Sequence, residues 1–203
     1  MNLFRILGDL SLFASKFILT FHIHQSESTK GVSFETQLLY LVVYMCRYLD
    51  LLTHQISLYN TFVKVSLTGS TLYTILLIKY KSRRDPHSST NDSVNVEYLA
   101  VPCLALALVF NYILNPVEVL WAFSIYLEVA APLPQLFILQ RREEVEGVTI
   151  RYLIALVGHR AFYLLNWIYR FFEEQYVDPI AAYSGLVQLA LYFVFFASYL
   201  IRN

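Results

Sequence analysis

The chain has 203 residues, of which 57% are hydrophobic and 15% charged, with a mean hydropathy of +0.51. So apolar a chain is not a disordered one, and fifteen basic side chains balancing fifteen acidic ones give no cationic excess for a nucleic-acid partner. Cys46 and Cys103 are the only cysteines, so there is no disulfide framework, and without a CxxC or Cys/His cluster no metal or other cofactor is expected.

A helix crosses a bilayer with roughly 20 mostly apolar residues. Seven such stretches are predicted, at about 3–23, 36–54, 56–79, 97–114, 117–140, 150–172 and 179–201. The fold class is therefore an all-α membrane protein. In the first span Arg5 and Asp9 interrupt the apolar run, so it is expected to stay as a helix, not to be a cleaved leader. Punctuation falls between spans, at Gly31-Val32-Ser33, Asn115-Pro116, Glu146-Gly147 and Asp178-Pro179. The long polar stretch is Lys79 to Asn95. His22, His24 and His87 are expected in loops.

Loop cations set the orientation. Lys30, then Lys79, Lys81, Arg83 and Arg84, then Arg141 and Arg142 lie in the odd loops. Those loops are expected to be cytosolic, with the N-terminus lumenal and the C-terminus cytosolic. The sequon Asn91-Asp92-Ser93 would then be cytosolic and unmodified.

A thin repeat runs at an offset of 113 residues: Arg5 with Glu118, Ser11 with Ser124, Thr36 with Thr149, Arg47 with Arg160. It places span one on span five and span two on span six. The expected plan is one seven-helix domain over 1–203, with three-helix repeats at 1–79 and 117–203 joined by a linker helix at 97–114, a 3+1+3 arrangement known in small transporters.

Ionisable groups at membrane depth cost ~2.5–3.5 kcal/mol each on insertion scales and mark functional sites by default. Here they are Arg5, Asp9, Arg47, Asp50, Glu118, Glu128, Arg160 and Arg170. Glu118, Trp121, Ile125 and Glu128 step by three, four and three; so do Arg160, Tyr163, Trp167 and Arg170. Each set lies on one helix face. Arg5 and Asp9, four apart, are as readily an internal ion pair as cavity residues. The rest, Arg47, Arg160 and Arg170 beside Asp50, Glu118 and Glu128, balance in number, and guanidinium suits carboxylate capture. With Tyr48, Tyr126, Tyr163 and the two tryptophans interleaved, such a cavity fits a zwitterionic or acidic peptide better than a sugar. Lys16 and Lys64 are expected to snorkel toward span ends. His54 and His159 are candidate pH-responsive groups. No GxSxG, HExxH or P-loop is present, so no enzyme is expected.

NLFRILGDLS, TQLLYLVVYMCRYLDLL, ISLYNTFVK, VEVLWAFSIYLE, LPQLF and RAFYLLNWIYR together resemble the KDEL receptor family of ER-lumen protein-retaining receptors, within the SWEET/PQ-loop-like superfamily. The resemblance covers nearly the whole chain. It implies a sorting receptor that binds a C-terminal KDEL or HDEL tetrapeptide of escaped ER proteins in the acidic Golgi, releases it in the near-neutral ER, and cycles between ER and cis-Golgi membranes. By motif match it implies a peptide site of Arg5, Arg47, Tyr48, Asp50, Glu118, Trp121, Arg160, Tyr163, Asn166, Trp167 and Arg170, with His54 added here. Glu128 and His159 fall in its gating and pH-sensing region. Membrane lipid and vesicle coat machinery are the further partners implied.

Four features depart from the family pattern. Leu12 stands where the family has its pH-sensing histidine. His159 replaces a tyrosine, and Val194 replaces an aspartate used in retrieval. No lysine-rich stretch follows Ile201-Arg202-Asn203. His159, with His54, is the expected substitute sensor. Two other readings stand beside the receptor: a small-solute transporter on the same fold, and a scaffold whose charges only lock helices.

Overall fold

The computed structural model describes residues 2–25, 29, 31–49, 58–84, 94–141 and 147–202. Among these the regular structure is entirely helical: α1 (Leu3–Gln25), α2 (Phe34–Arg47), α3 (Leu58–Arg84), α4 (Val96–Val109), α5 (Pro116–Ala130), α6 (Leu133–Gln140), α7 (Gly147–Glu174) and α8 (Pro179–Arg202). Five segments are long and apolar enough to cross a membrane: α1, α3, α5 with α6, α7 and α8. With the shorter α2 and α4 they account for the seven expected stretches, and the chain is a multi-pass helical membrane protein.

The helix starts follow capping chemistry. Ser33 Oγ accepts from the Thr36 amide at 3.0 Å to open α2. Asn115 caps α5, its Oδ1 accepting from the Val117 amide at 3.1 Å with Pro116 at the first helical position. Asp178 caps α8 through the Ala181 amide at 3.0 Å, followed by Pro179. Each satisfies an amide that the helix itself leaves orphaned.

Several boundaries differ from the sequence expectation: α2 ends already at Arg47, and α3 continues to Arg84, carrying Lys81, Arg83 and Arg84 on the helix. Span five is not one helix: it breaks between α5 and α6 at Ala131–Pro132. Pro132 has no N–H to give to the Glu128 carbonyl one turn back. Gln188 of α8 supplies the missing donor, its Nε2 reaching that carbonyl at 2.8 Å. The fourth span stops at Val109, and its 14 residues rise only ~21 Å. His22 and His24 lie in the last turn of α1 instead of a loop. His87 and the Asn91 sequon lie outside the described residues.

Gln135, in the LPQLF segment, ties the break to the start of α2. Its side chain accepts from the Ser33 amide at 2.9 Å and donates to the Gly31 carbonyl at 2.6 Å, while its backbone N–H donates to Thr36 Oγ1 at 3.0 Å. Gly31 permits this turn because its φ is 90°.

In the packing, α1 lies along α7 and against α3; α2 meets α3 and α5; α8 meets α5 and α7; α4 rests on α5. The apolar core runs down the middle, with Leu19, Ile23, Leu39, Val43, Leu127 and Leu153 sealed from the surroundings. Outward faces carry large exposed hydrophobics such as Phe62, Leu76, Phe193 and Leu200, as a lipid-facing surface requires.

Candidate ligand-binding site

A cavity of about 640 Å³ opens at one end of the bundle. Its lining comes from the beginnings of α1, α3, α5 and α8 and the ends of α2 and α7, so it lies at the end that carries the chain's N-terminus. Lys79, Lys81, Arg83, Arg84, Arg141 and Arg151 belong to the ends of α3 and α6 and the start of α7, which is the opposite end.

At the cavity floor one carboxylate holds two guanidiniums. Glu128 Oε2 lies 2.7 Å from Arg47 Nη1 and 2.8 Å from Arg160 Nη2. Arg47 is anchored further on α5, donating to the Ser124 hydroxyl at 3.2 Å and the Ser124 carbonyl at 3.0 Å. Glu128 and Arg160 are buried, while Arg47 keeps a partly open flank. Two cations against one anion leave this cluster net positive, and its location in a desolvated floor preserves that field.

His159 completes the floor. Its Nδ1 is 3.0 Å from the Gly8 carbonyl. A carbonyl only accepts, so Nδ1 carries the proton and Nε2 is left facing Glu128 Oε1 at 3.7 Å. A proton arriving on Nε2 adds a third positive charge beside one carboxylate.

One helical turn from Arg5, Asp9 is occupied by two phenols: Tyr163 donates to Oδ1 at 2.7 Å and Tyr59 to Oδ2 at 2.9 Å. Arg5 itself donates to Asn60 Oδ1 at 2.8 Å. The Arg5–Asp9 pair therefore does not form: the tyrosines satisfy the carboxylate, and Arg5 turns toward the cavity. Tyr163 and Trp167 wall the same side, edge-on at 6.2 Å. They fit because the helices opposite carry glycines. A Cβ at Gly8 would lie 2.6 Å from the Tyr163 ring, and one at Gly185 2.6 Å from the Trp167 ring.

Across the cavity the chemistry changes sign. Glu118 lines it and makes no hydrogen bond or ion pair with another described residue. Trp121 lies one turn on, its ring tilted against Tyr112 at 6.2 Å, and Tyr112 donates to Asp178 at 2.9 Å. An anionic and aromatic rim thus faces a cationic floor.

Of the residues expected at the site, Arg5, Arg47, Tyr48, Glu118, Trp121, Glu128, His159, Arg160, Tyr163 and Trp167 line this one cavity. Asn166 and Arg170 line an adjoining hollow of about 500 Å³ that shares Arg5, Tyr163 and Trp167. Arg170 is paired with Glu174 at 2.6 Å. Asp50 and His54 lie outside the described residues. The expectation that Lys16 and Lys64 snorkel is corrected. Lys16 is 1% exposed, because α1 turns that face into the bundle. Lys64 lines the cavity, with its ammonium 5.4 Å from the centre of the Tyr48 ring.

The sequence match spans most of the chain. Residues 28–170 match the family model described as ER lumen protein retaining receptor. The ER lumen protein-retaining receptor of Drosophila melanogaster is 45% identical over 205 residues, covering 100% of this chain and 95% of the relative. The chain belongs to the ER lumen protein-retaining receptor family. ER lumen protein-retaining receptor 2 of Danio rerio is likewise 45% identical over 202 residues, covering 100% of this chain and 95% of the relative. ER lumen protein-retaining receptor erd-2.2 of Caenorhabditis elegans is 45% identical over 202 residues, with 100% and 94% covered. This family membership makes the chain a receptor-type membrane protein of the secretory pathway, and it bears out the resemblance drawn from the motifs.

Several partners of the cavity residues were not singled out as site residues from the sequence. Ser124 gave a signal only as the repeat partner of Ser11. Ser11 Oγ donates to the Ala155 carbonyl of α7 at 2.7 Å, and Ser124 meets Arg47 of α2. Asn60, Tyr59 and Tyr112 gave none, since single polar residues near span ends are common.

Proposed function

We propose that this chain captures the free C-terminal end of ER lumenal proteins bearing a KDEL- or HDEL-type signal and returns them from the cis-Golgi to the ER. The carrying observation is the segregation of charge in one cavity. The floor holds Arg47 and Arg160 on a single carboxylate, with Arg5 nearby; the rim holds Glu118, Trp121 and Asp178. A peptide whose terminus and last side chains are anionic, with a cation a few residues earlier, matches that order. Guanidiniums and phenols would take the carboxylates, and Glu118 with Trp121 would take the cation. The volume is within the range of ligand pockets.

The opening faces away from the cation-rich ends of α3 and α6, which supports a lumenal cavity, a lumenal N-terminus and a cytosolic C-terminus. Vesicle coat machinery would then act at the cation-rich end. The packing also supports a 3+1+3 plan of two repeats and a linker. In each half the third helix contacts the first and second, as α3 meets α1 and α2 and α8 meets α5 and α7. The cross-contacts α1–α7 and α2–α5 exchange under the same offset.

Binding of a KDEL tetrapeptide to the purified receptor tests the reading, with the free acid compared against its C-terminal amide. Amidation removes the charge-assisted contacts and is expected to weaken binding about ten- to hundred-fold. Equal affinity for acid and amide, or no binding at all, would overturn it.

A further inference from the structure

Lys16 occupies the middle of α1 with 1% of its surface exposed. A lysine at this depth ordinarily reaches the interface or a carboxylate. This one does neither. Its Nζ donates to Gln37 Oε1 at 3.0 Å and lies 4.4 Å from the centre of the Tyr40 ring and 5.6 Å from that of Tyr44. No carboxylate of a described residue lies within 4 Å of it; of the two buried acids, Glu128 is taken by Arg47 and Arg160 and Asp9 by Tyr163 and Tyr59. Gln37 is itself fixed, donating to the Tyr152 hydroxyl of α7 at 3.3 Å.

The side chains next to Lys16 reach the cavity. Leu12, one turn nearer the N-terminus of α1, lines the cavity, and one turn is ~5.4 Å along the axis. On α2, Tyr40, Tyr44 and Tyr48 are each four residues apart. Tyr44 stacks on Tyr48 at 5.5 Å with an interplanar angle of 1°, and both line the cavity. The Tyr44 hydroxyl is buried and has no hydrogen-bond partner among the described residues. Lys16 thus lies one turn from Leu12 of the cavity lining and against the Tyr40 and Tyr44 rings of the ladder that reaches the cavity.

We propose that Lys16 is an affinity-determining residue for the anionic end of the ligand, acting through space from behind the floor without touching it. The inference rests on the reading of the cavity as a site for a free chain end. A cation left unneutralised in apolar surroundings projects its field into the nearest watery volume, where counter-ions are few. At about 10 Å and an effective dielectric near 20, such a charge changes the affinity for an anion by roughly tenfold.

The test is KDEL tetrapeptide binding at one fixed acid pH to wild-type receptor, Lys16→Met and Lys16→Gln, as free acid and as amide, with thermal midpoints alongside. Methionine keeps the length and removes the charge; glutamine also keeps a hydrogen bond to Gln37. Both variants are expected to bind the free acid about tenfold more weakly, to discriminate less against the amide, and to melt no earlier than wild type, since an unpaired buried charge costs stability. If wild type prefers the free acid and both variants match its affinity, the role of Lys16 is overturned while the site reading stands. If the variants only melt earlier, Lys16 is a packing residue and the inference fails. If wild type shows no preference for the free acid, the reading beneath it has failed first.

Discussion

Arg47 and Arg160 bind the same oxygen. Both guanidiniums reach Glu128 Oε2, at 2.7 and 2.8 Å, from α2 and α7 respectively. These are the two arginines that the 113-residue offset aligns. Glu128 therefore ties α2 to α7, and it sits at the bottom of the cavity where an incoming anion would compete for the same donors.

Replacing Glu128 by glutamine keeps its shape and removes its charge. Two largely buried guanidiniums then lose their counter-charge, and the receptor is expected to lose about 3–5 kcal/mol of stability. Thermal unfolding in detergent reads this directly. The exposed Arg170–Glu174 pair is the control, since its removal should cost no more than about 0.5 kcal/mol.

His159 fixes the sign that a pH response of the cavity would take. Its Nδ1 proton is committed to the Gly8 carbonyl, so added acid protonates the Nε2 that faces Glu128. The imidazolium draws on Glu128 and adds positive charge to the floor, so anion affinity is expected to rise as pH falls and to drop as pH rises. His159→Phe keeps the ring packed near Tyr163 and should flatten that pH dependence. A tetrapeptide titration at acid and neutral pH that leaves the ratio unchanged would remove His159 from the account.

Glu174 occupies Arg170 at 2.6 Å. An acidic ligand side chain reaching Arg170 must displace it. Glu174→Gln should therefore tighten binding of an aspartate-containing tetrapeptide several-fold, within the ~0.3–1 kcal/mol range of exposed ion pairs. A tetrapeptide with asparagine in that place should show no gain.

Gly185 is where α8 makes room for Trp167, 2.6 Å from a built Cβ, with Arg160 Cδ next at 3.4 Å. Gly185→Ala forces the indole into the cavity or the helices apart. The expected result is weaker peptide binding together with a destabilisation of about 1–3 kcal/mol, seen as an earlier melt and a higher Kd.

Much of the fold was legible because its signals are local. Apolar runs marked the spans, and the caps at Asn115 and Asp178 marked two helix starts. The break in span five was signalled by Pro132 and Pro134, yet the apolar run continues through them, so hydropathy alone passed over it. Its repair by Gln188 lies 60 residues away, and no spacing rule connects the two. The site was legible where a single helix face carries the pattern, as with Glu118 to Glu128 and Arg160 to Arg170. It was illegible where neighbours on other helices decide a side chain's partner. Arg5 and Asp9 have ideal spacing for each other and are separated by Tyr59, Tyr163 and Asn60. Lys16 lies near the middle of α1, and which way it faces depends on how α1 is rotated against α2 and α7.

The shared carboxylate has a consequence for biogenesis. Arg47 is made 81 residues before Glu128. A nascent chain must therefore hold that guanidinium in the translocation machinery, hydrated or against a temporary partner, until the broken fifth segment delivers its acid. Insertion of the early helices remains provisional until then, and quality control has a defined window in which to recognise a stalled product.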